Sequence, residues 1–254
     1  MSRQRKALAI RPDPAARVPD TAMVMAAGLG KRMRPLTATK PKPLVEVAGK
    51  PLIDHCLDRL EAGGVKKAVV NVHYLADALE AHLARRGGGL EIRISDERDR
   101  LLETGGGLVQ ALPLIDADPF LVVNSDNLWI DGPVDSLRLL AAGWDEAEMD
   151  ALLLLVPLAR ACCHKGQGDF HMAPDGTLKR RKPNAVAPFV FTGIQIVSKR
   201  LFEAEHPDGP FSTNILWDRA MQAGRLRGTV HEGLWFDVGQ PASIARTEEI
   251  LAGG

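Results

Sequence analysis

At 254 residues, with 45% hydrophobic and 25% charged side chains, the chain can build one large α/β domain or two small ones around a substantial core. Its 32 basic residues balance 32 acidic ones, which argues against a dedicated nucleic-acid or acidic-membrane surface. No apolar run is long enough to span a bilayer, and three cysteines (Cys56, Cys162, Cys163) suit a reducing cytoplasm better than a disulfide scaffold.

Residues Met1 to Asp20 hold five Lys or Arg, three Pro and no secretory apolar core, so they are expected to form a disordered, solvated leader. Thr21 to Ala26 is then a short apolar run that predicts a buried strand. Between Gly28 and Val45 follow five cations, two glycines, three prolines and no acid. In an electrically balanced chain this is placed charge. A strand that breaks into glycines and then cations makes a phosphate site, because glycine lets backbone N–H groups approach an anion and the side chains neutralise it. A dinucleotide fingerprint is excluded, since Met33 stands where the third glycine would fall, and no Gly-Lys-Ser/Thr of a Walker loop is present.

Downstream, strand and helix alternate, which predicts a parallel sheet flanked by helices. Helices are expected over 52–62, 75–86 and 105–112, with strands over 67–72, 90–95, 120–124 and 151–156. Past Pro157 the character changes to short strands over 168–172, 178–182 and 189–197. Helices over 212–223 and 242–251 then flank a short strand at 235–238. With no internal repeat or linker, residues 21–254 are expected to form a single domain whose C-terminal part lines the far side of a cleft.

The ordered pattern Ala-Ala-Gly-x-Gly-x-Arg-Met-x-Pro-Leu-Thr, Pro-Lys-Pro-Leu-Val and Gly-Lys-Pro-Leu-Ile over 26–53 resembles the sugar-1-phosphate nucleotidylyltransferases. The resemblance implies a Rossmann-like three-layer α/β sandwich with a mixed, mainly parallel central sheet. It implies transfer of a nucleoside monophosphate from a triphosphate to a sugar 1-phosphate, with pyrophosphate leaving and Mg²⁺ as cofactor. Such chemistry needs positioning and charge neutralisation more than covalent work from the protein.

Residue by residue, the resemblance makes Arg32 and Lys42 the catalytic cations and Asp126 and Asp237 the catalytic, metal-binding carboxylates. Two carboxylates with phosphate oxygens and water suit Mg²⁺, which prefers hard oxygen ligands. Ser125 departs from the family's Gly before the metal carboxylate. Nucleotide contacts are expected from Ala26, Ala27, Gly28, Gly30, Lys31, Arg32, Lys42, Asn71, Glu97, Thr104, Gly105 and Gly106. Sugar contacts are expected from Glu103, Asn124, Asp169, Arg181, Lys182, Thr192 and Gly193.

Leu-Glu-Thr-Gly-Gly-Gly at 102–107, Gly-x-Gly-Asp-Phe at 166–170 and Trp-Phe-Asp-Val-Gly at 235–239 are similar to the branch that uridylylates N-acetylmuramate 1-phosphate in cell-wall recycling. That branch implies UTP and the muramate ester as substrates. Arg181 stands where many relatives carry a sugar-binding Glu, and a cation there would suit the lactyl carboxylate of muramate. Another hexose, heptose or choline phosphate is the alternative substrate, and a catalytically silent regulatory subunit is the alternative class. No nucleic-acid or membrane partner is expected, and the chain is expected to act as a monomer or homodimer.

Overall fold

The computed structural model describes residues 16–253. Residues 1–15 of the expected leader lie outside the described residues, but its last part is tied down. Val18 packs against the core, and the Asp20 carbonyl accepts from the N–H groups of Lys66 at 2.7 Å and Lys67 at 3.0 Å.

The first strand, β1 (Thr21–Met25), leads into the basic loop, with 3-10 turns at Lys31–Met33 and Lys42–Leu44. A small hairpin follows, of β2 (Glu46–Val47) and β3 (Lys50–Pro51). The alternating stretch is α1 (Leu52–Ala62), β4 (Lys67–Val72), α2 (Ala76–Leu83), β5 (Glu91–Asp96), α3 (Glu103–Ala111) and β6 (Phe120–Asn124). Next come β7 (Asn127–Ile130), α4 (Ser136–Gly143), β8 (Ala151–Pro157) and β9 (Ala161–Cys162). The chain ends with β10 (Phe170–Met172), β11 (Leu178–Arg180), β12 (Phe189–Val197), α5 (Asn214–Gln222), β13 (Leu226–Val230), β14 (Leu234–Asp237) and α6 (Pro241–Ala252).

Across the main sheet the order is β5-β4-β1-β6-β12-β8-β13. The pairs β5–β4, β4–β1, β1–β6 and β8–β13 are parallel, and β12 runs antiparallel to both β6 and β8. The β10–β11 hairpin joins the same sheet antiparallel to β12, so the sheet is mixed, as expected, with β5-β4-β1-β6 as its continuous parallel part. Strand alternation gives it two apolar faces. Ala22, Val24, Leu121 and Val123 point to the layer of α1, α2 and α4, whereas Met23, Phe120 and Val122 point to the layer of α3 and α5. Burying a side chain of this kind is worth about 1.5–3 kcal/mol. A third cluster, including Met33, Leu52, Leu128, Phe236 and Val238, lies beneath the basic loop against α6.

Three differences from the expected elements have identifiable causes. Helix α4 was not expected: it is short, and its signals are an Asp135 side-chain cap on the Arg138 N–H (2.9 Å) and buried Leu137 and Leu140. Strand β13, Leu-Arg-Gly-Thr-Val, has weak strand character alone and is recruited by pairing with β8. Helix α2 is shorter than expected at both ends, and Leu75 before it is left-handed at φ 51°.

From β1 the chain winds outward to β5, then returns to β6 on the other side of β1. Open α/β sheets bind ligands at such a reversal, outside the carboxyl ends of the strands. On β12 the ladder to β8 is broken: Phe191 pairs Leu155, but Gln195 pairs Leu153. Gly193 sits in that break at φ +81°, a left-handed conformation that favours glycine.

Candidate active site

A cleft of about 390 Å³ opens at the carboxyl ends of β1 and β6. Met25, Ala26, Ala27 and Gly28 form one wall, Lys42 and Asn124 to Asp126 the floor, and Leu101, Glu103, Thr104 and Ser212 the opposite wall.

The basic loop is folded tightly enough to aim its cations. Gly30 is left-handed at φ +60°, and a Cβ there would lie 2.9 Å from Thr37 Cγ2 and 3.1 Å from Lys42 Cβ. The Thr37 hydroxyl donates to the Gly30 carbonyl at 2.8 Å, and the Tyr74 hydroxyl donates to the Thr37 carbonyl at 2.9 Å. Met33 is fully buried and pins the first turn. Lys31, Arg32, Arg34 and Lys40 are exposed, and Lys40 is engaged by Glu46 at 3.2 Å. Lys42 instead turns inward and forms an ion pair with Asp126.

The second aspartate arrives from the other end of the chain. Strand β14 pairs antiparallel with β7, which places Asp237 opposite Asn127, the residue after Asp126. His164 Nδ1 lies 3.0 Å from Asp237 Oδ2. That hydrogen bond, with the charges of Arg32 and Lys42, holds the Asp237 carboxyl below the usual carboxylate range. Arg32 is close by: a Cβ on Gly239 would lie 2.8 Å from Asp237 Oδ1 and 3.3 Å from Arg32 Nη1. The donor set fits a hard divalent cation, with two carboxylates set side by side by strand pairing, one of them kept ionised. Among the described residues, no group of three or more His, Cys, Asp or Glu side chains is gathered to hold a metal ion. The remaining positions of such an ion would fall to phosphate oxygens and water.

The family model for nucleotidyl transferases matches residues 21–161, the segment that carries the basic loop, Lys42 and Asp126. The chain belongs to the nucleotidyl transferase family. It is 47% identical over 237 residues to the N-acetylmuramate alpha-1-phosphate uridylyltransferase of Caulobacter vibrioides, covering 92% of this chain and 98% of the relative. The corresponding protein of Neisseria meningitidis is 38% identical, over 91% of this chain and 96% of the relative. Among solved structures, the inositol-1-phosphate CTP transferase of T. maritima superposes with a TM-score of 0.75 at 19% identity, covering 92% of this chain and 96% of that one. That likeness confirms the nucleotidyltransferase fold.

In this nucleotidyl transferase the expected nucleotide residues divide into two groups. Ala26, Ala27, Gly28, Lys42, Asn71 and Thr104 line the cleft. Asn71 and Glu97, however, are 1% and 2% exposed, and their polar atoms are spent inside the protein. Asn71 Oδ1 accepts from the Ala26 and Ala27 N–H groups at 2.6 and 3.3 Å, and its Nδ2 donates to Glu97 Oε1 at 2.6 Å. Glu97 Oε2 accepts from the Leu102 N–H at 3.1 Å, and burial raises its pKa. These two side chains brace the walls, Asn71 from the lining of the cleft itself and Glu97 from behind it.

Gly105 and Gly106 also serve packing. Their N–H groups donate to the Phe211 carbonyl at 2.8 and 3.3 Å, so they are not free for a ligand. A Cβ at Gly105 would lie 2.3 Å from the Phe211 ring, and one at Gly106 2.4 Å from the Gly209 carbonyl. The 209–213 segment thereby docks on α3 and delivers Ser212 to the cleft, a lining residue that its sequence surroundings do not flag.

Of the expected sugar residues, Asn124 and Glu103 line the cleft, the latter left-handed at φ 59°. The others do not line it. Asp169 accepts from the Phe191 N–H at 2.9 Å, and Thr192 donates to the Leu154 carbonyl at 2.8 Å from a fully buried position. Arg181 ties down its own loop, donating to the carbonyls of Gly168 at 2.8 Å and Ala185 at 3.0 Å. Lys182 is exposed. Gly193 acts by lacking a side chain: a Cβ would lie 2.2 Å from Asn127 Nδ2 and 2.7 Å from Asn124 Nδ2.

Ser125 is accommodated beside Asp126 on the cleft floor because its hydroxyl is turned to the Met25 carbonyl, to which it donates at 2.8 Å. His164 was not singled out as a site residue. Its only sequence signal was the Cys162-Cys163-His164 triplet, and there the side chains diverge. Cys163 Sγ lies 3.9 Å from the Ser243 carbonyl, while His164 meets Asp237. Among the described residues no helix is long and apolar enough to cross a membrane.

Proposed function

We propose that the chain transfers a uridylyl group from UTP to N-acetylmuramate 1-phosphate, releasing pyrophosphate, as a cytoplasmic step of cell-wall recycling. The observation that carries this reading is 47% identity along nearly the whole chain to a uridylyltransferase of that name, with the cleft's Lys42 and Asp126 and the nearby Asp237 in place. Residues 21–254 are read as one domain, acting as a monomer or homodimer on small-molecule substrates.

In the reaction an oxygen of the sugar phosphate attacks the α-phosphorus, a new P–O bond forms, and the α–β bridging oxygen leaves with its electron pair on pyrophosphate. The attacking phosphate is already ionised, so no general base is required. Lys42 at the cleft floor would lie between the two anions and screen their repulsion, while Arg32 would take up charge building on the leaving group. Asn124 on the floor and Glu103 on the wall line the cleft, where both would contact the sugar. Asp126 and Asp237 are the residues that would hold Mg²⁺, and the bound ion would supply further charge neutralisation at the phosphates.

The test is pyrophosphate release by purified protein in magnesium buffer, crossing each nucleoside triphosphate with a panel of sugar 1-phosphates. Turnover with UTP and N-acetylmuramate 1-phosphate above all other pairs is the expected result. A different preferred pair replaces the substrate reading and keeps the chemistry. Nucleotide binding without turnover on any pair would make the chain a silent regulatory subunit.

A further inference from the structure

The exit of β4, Asn71-Val72-His73-Tyr74, grips the basic loop at two places. Asn71 holds its root through the Ala26 and Ala27 N–H groups. Tyr74, the one tyrosine of the chain, holds its outer turn. The phenol hydroxyl donates to the Thr37 carbonyl at 2.9 Å and lies 3.3 Å from the Ala38 carbonyl.

Between these points the loop is held mostly by itself. Its turns spend the carbonyls of Gly30, Met33 and Pro35 on the N–H groups of Met33, Leu36 and Ala38. Among the described residues, the hydrogen bonds of Tyr74 are the only ones that reach residues 31–39 from outside the loop. That attachment continues through packed atoms to the catalytic lysine. Thr37 is 1% exposed, and its hydroxyl donates to the Gly30 carbonyl at 2.8 Å. Its methyl and Lys42 Cβ close on the same side of Gly30, where an added Cβ would lie 2.9 Å from one and 3.1 Å from the other. The path Tyr74–Thr37–Gly30–Lys42 is therefore unbroken. Leu75, next after Tyr74, is left-handed at φ 51°, a conformation that is rare for side chains other than glycine and that clusters at functional sites.

We propose that Tyr74 is a positioning residue for Lys42: it straps the outer turn of the basic loop to the sheet and so fixes the ammonium group at the cleft floor. The proposal rests on the reading of the reaction only in taking Lys42 as the phosphate cation. A cation aimed before substrate arrives needs no reorganisation as charge develops. A loosened strap leaves the charge present but unaimed, so its loss acts on kcat more than on KM.

The first test is a double-variant cycle with UTP and N-acetylmuramate 1-phosphate, or with the pair that the turnover panel prefers. Tyr74→Phe alone should lower kcat roughly tenfold with both KM values within about twofold. In a Lys42→Met background the same change should cost less than about twofold, because the group it positions is gone. An unchanged kcat, or an equal loss in both backgrounds, overturns the proposal. Trypsin gives a second readout that needs no substrate. Of the loop's cations only Lys31 and Arg32 offer cleavable bonds, since Arg34, Lys40 and Lys42 each precede proline. Tyr74→Phe should speed cleavage at those two exposed residues about five- to tenfold, the scale of a lost hydrogen bond, with cuts elsewhere unchanged. Equal rates there, or faster cleavage at every site alike, overturns the strap. Faster loop cleavage in a protein that turns over no substrate pair would sink the reading of the reaction and leave the strap standing.

Discussion

Lys42 and Asp126, 84 residues apart in the chain, meet as an ion pair on the floor of the cleft. Each neutralises the other, and together they hold the basic loop down on the end of β6. An incoming phosphate would compete with Asp126 for the ammonium group, linking substrate binding to release of the carboxylate. Lys42→Met should therefore lower kcat/KM by about 10²–10³-fold, the usual effect of removing one preorganised charge-stabilising group. Asp126→Asn should do the same. Because the two act as a unit, the double variant should be far less impaired than the product of the single effects. Steady-state kinetics of the three variants decide it, and a Lys42→Met enzyme within a few-fold of wild type would remove Lys42 from the mechanism.

Gly105→Ala should damage nucleotide use without touching a nucleotide. Its Cβ would lie 2.3 Å from the Phe211 ring and 2.9 Å from the Phe211 carbonyl. Relief requires the 209–213 segment to lift from α3, taking Ser212 out of the cleft wall. Overpacking of this kind costs about 1–3 kcal/mol. Thermal denaturation should show that loss, together with a raised KM for the nucleotide. An unshifted melting temperature would mean that the segment yields freely.

Arg181→Ala should lower stability and leave substrate preference where it was. Its guanidinium holds the carbonyls of Gly168 and Ala185, and hydrogen bonds to a charged group are worth roughly 1.5–3 kcal/mol when removed. The pair of readouts is the melting temperature and the ratio of kcat/KM for muramate and glucosamine esters. A changed ratio at unchanged stability would return Arg181 to the substrate.

Acid sensitivity should trace in part to His231. The ring is buried, with Nδ1 3.1 Å from Ser136 Oγ and Nε2 3.1 Å from the Leu234 carbonyl. Burial pushes its pKa below the ordinary 6.5, so the folded protein favours the neutral ring. Its contribution to stability is complete above the ordinary value and is lost as pH falls through the depressed one. Calorimetry from about pH 7 to about pH 5 should show a steeper decline for wild type than for His231→Gln. Parallel curves would assign the decline to other groups.

The legible parts of this molecule were those whose signal is local. Strand β1, the glycine-cation loop and the strand ending at Asp126 each announce themselves within a few residues, and so does the Trp-Phe-Asp-Val-Gly run that carries Asp237. Their mutual placement followed from the resemblance and not from any spacing. What could not be read were partnerships between side chains far apart in sequence. Nothing near Asn71 says that its amide will be consumed by the Ala26 N–H and Glu97, and nothing near Gly105 says that residue 211 will take its N–H. Arg181 likewise carries no mark in the sequence of the Gly168 and Ala185 carbonyls that engage it.

The break in β12 adds two residues relative to β8, and an even number leaves the alternation of faces intact. Val190, Ile194 and Ile196 thus stay in one apolar layer on both sides of the break. The strand can gain or lose a pair of residues there without turning its core side chains outward, whereas a single insertion would invert every position beyond it. The backbone beside Asn124 and Asn127 is consequently a stretch where length itself can be varied. Evolution or design can reshape that wall of the enzyme by twos, while the layers beneath keep their packing.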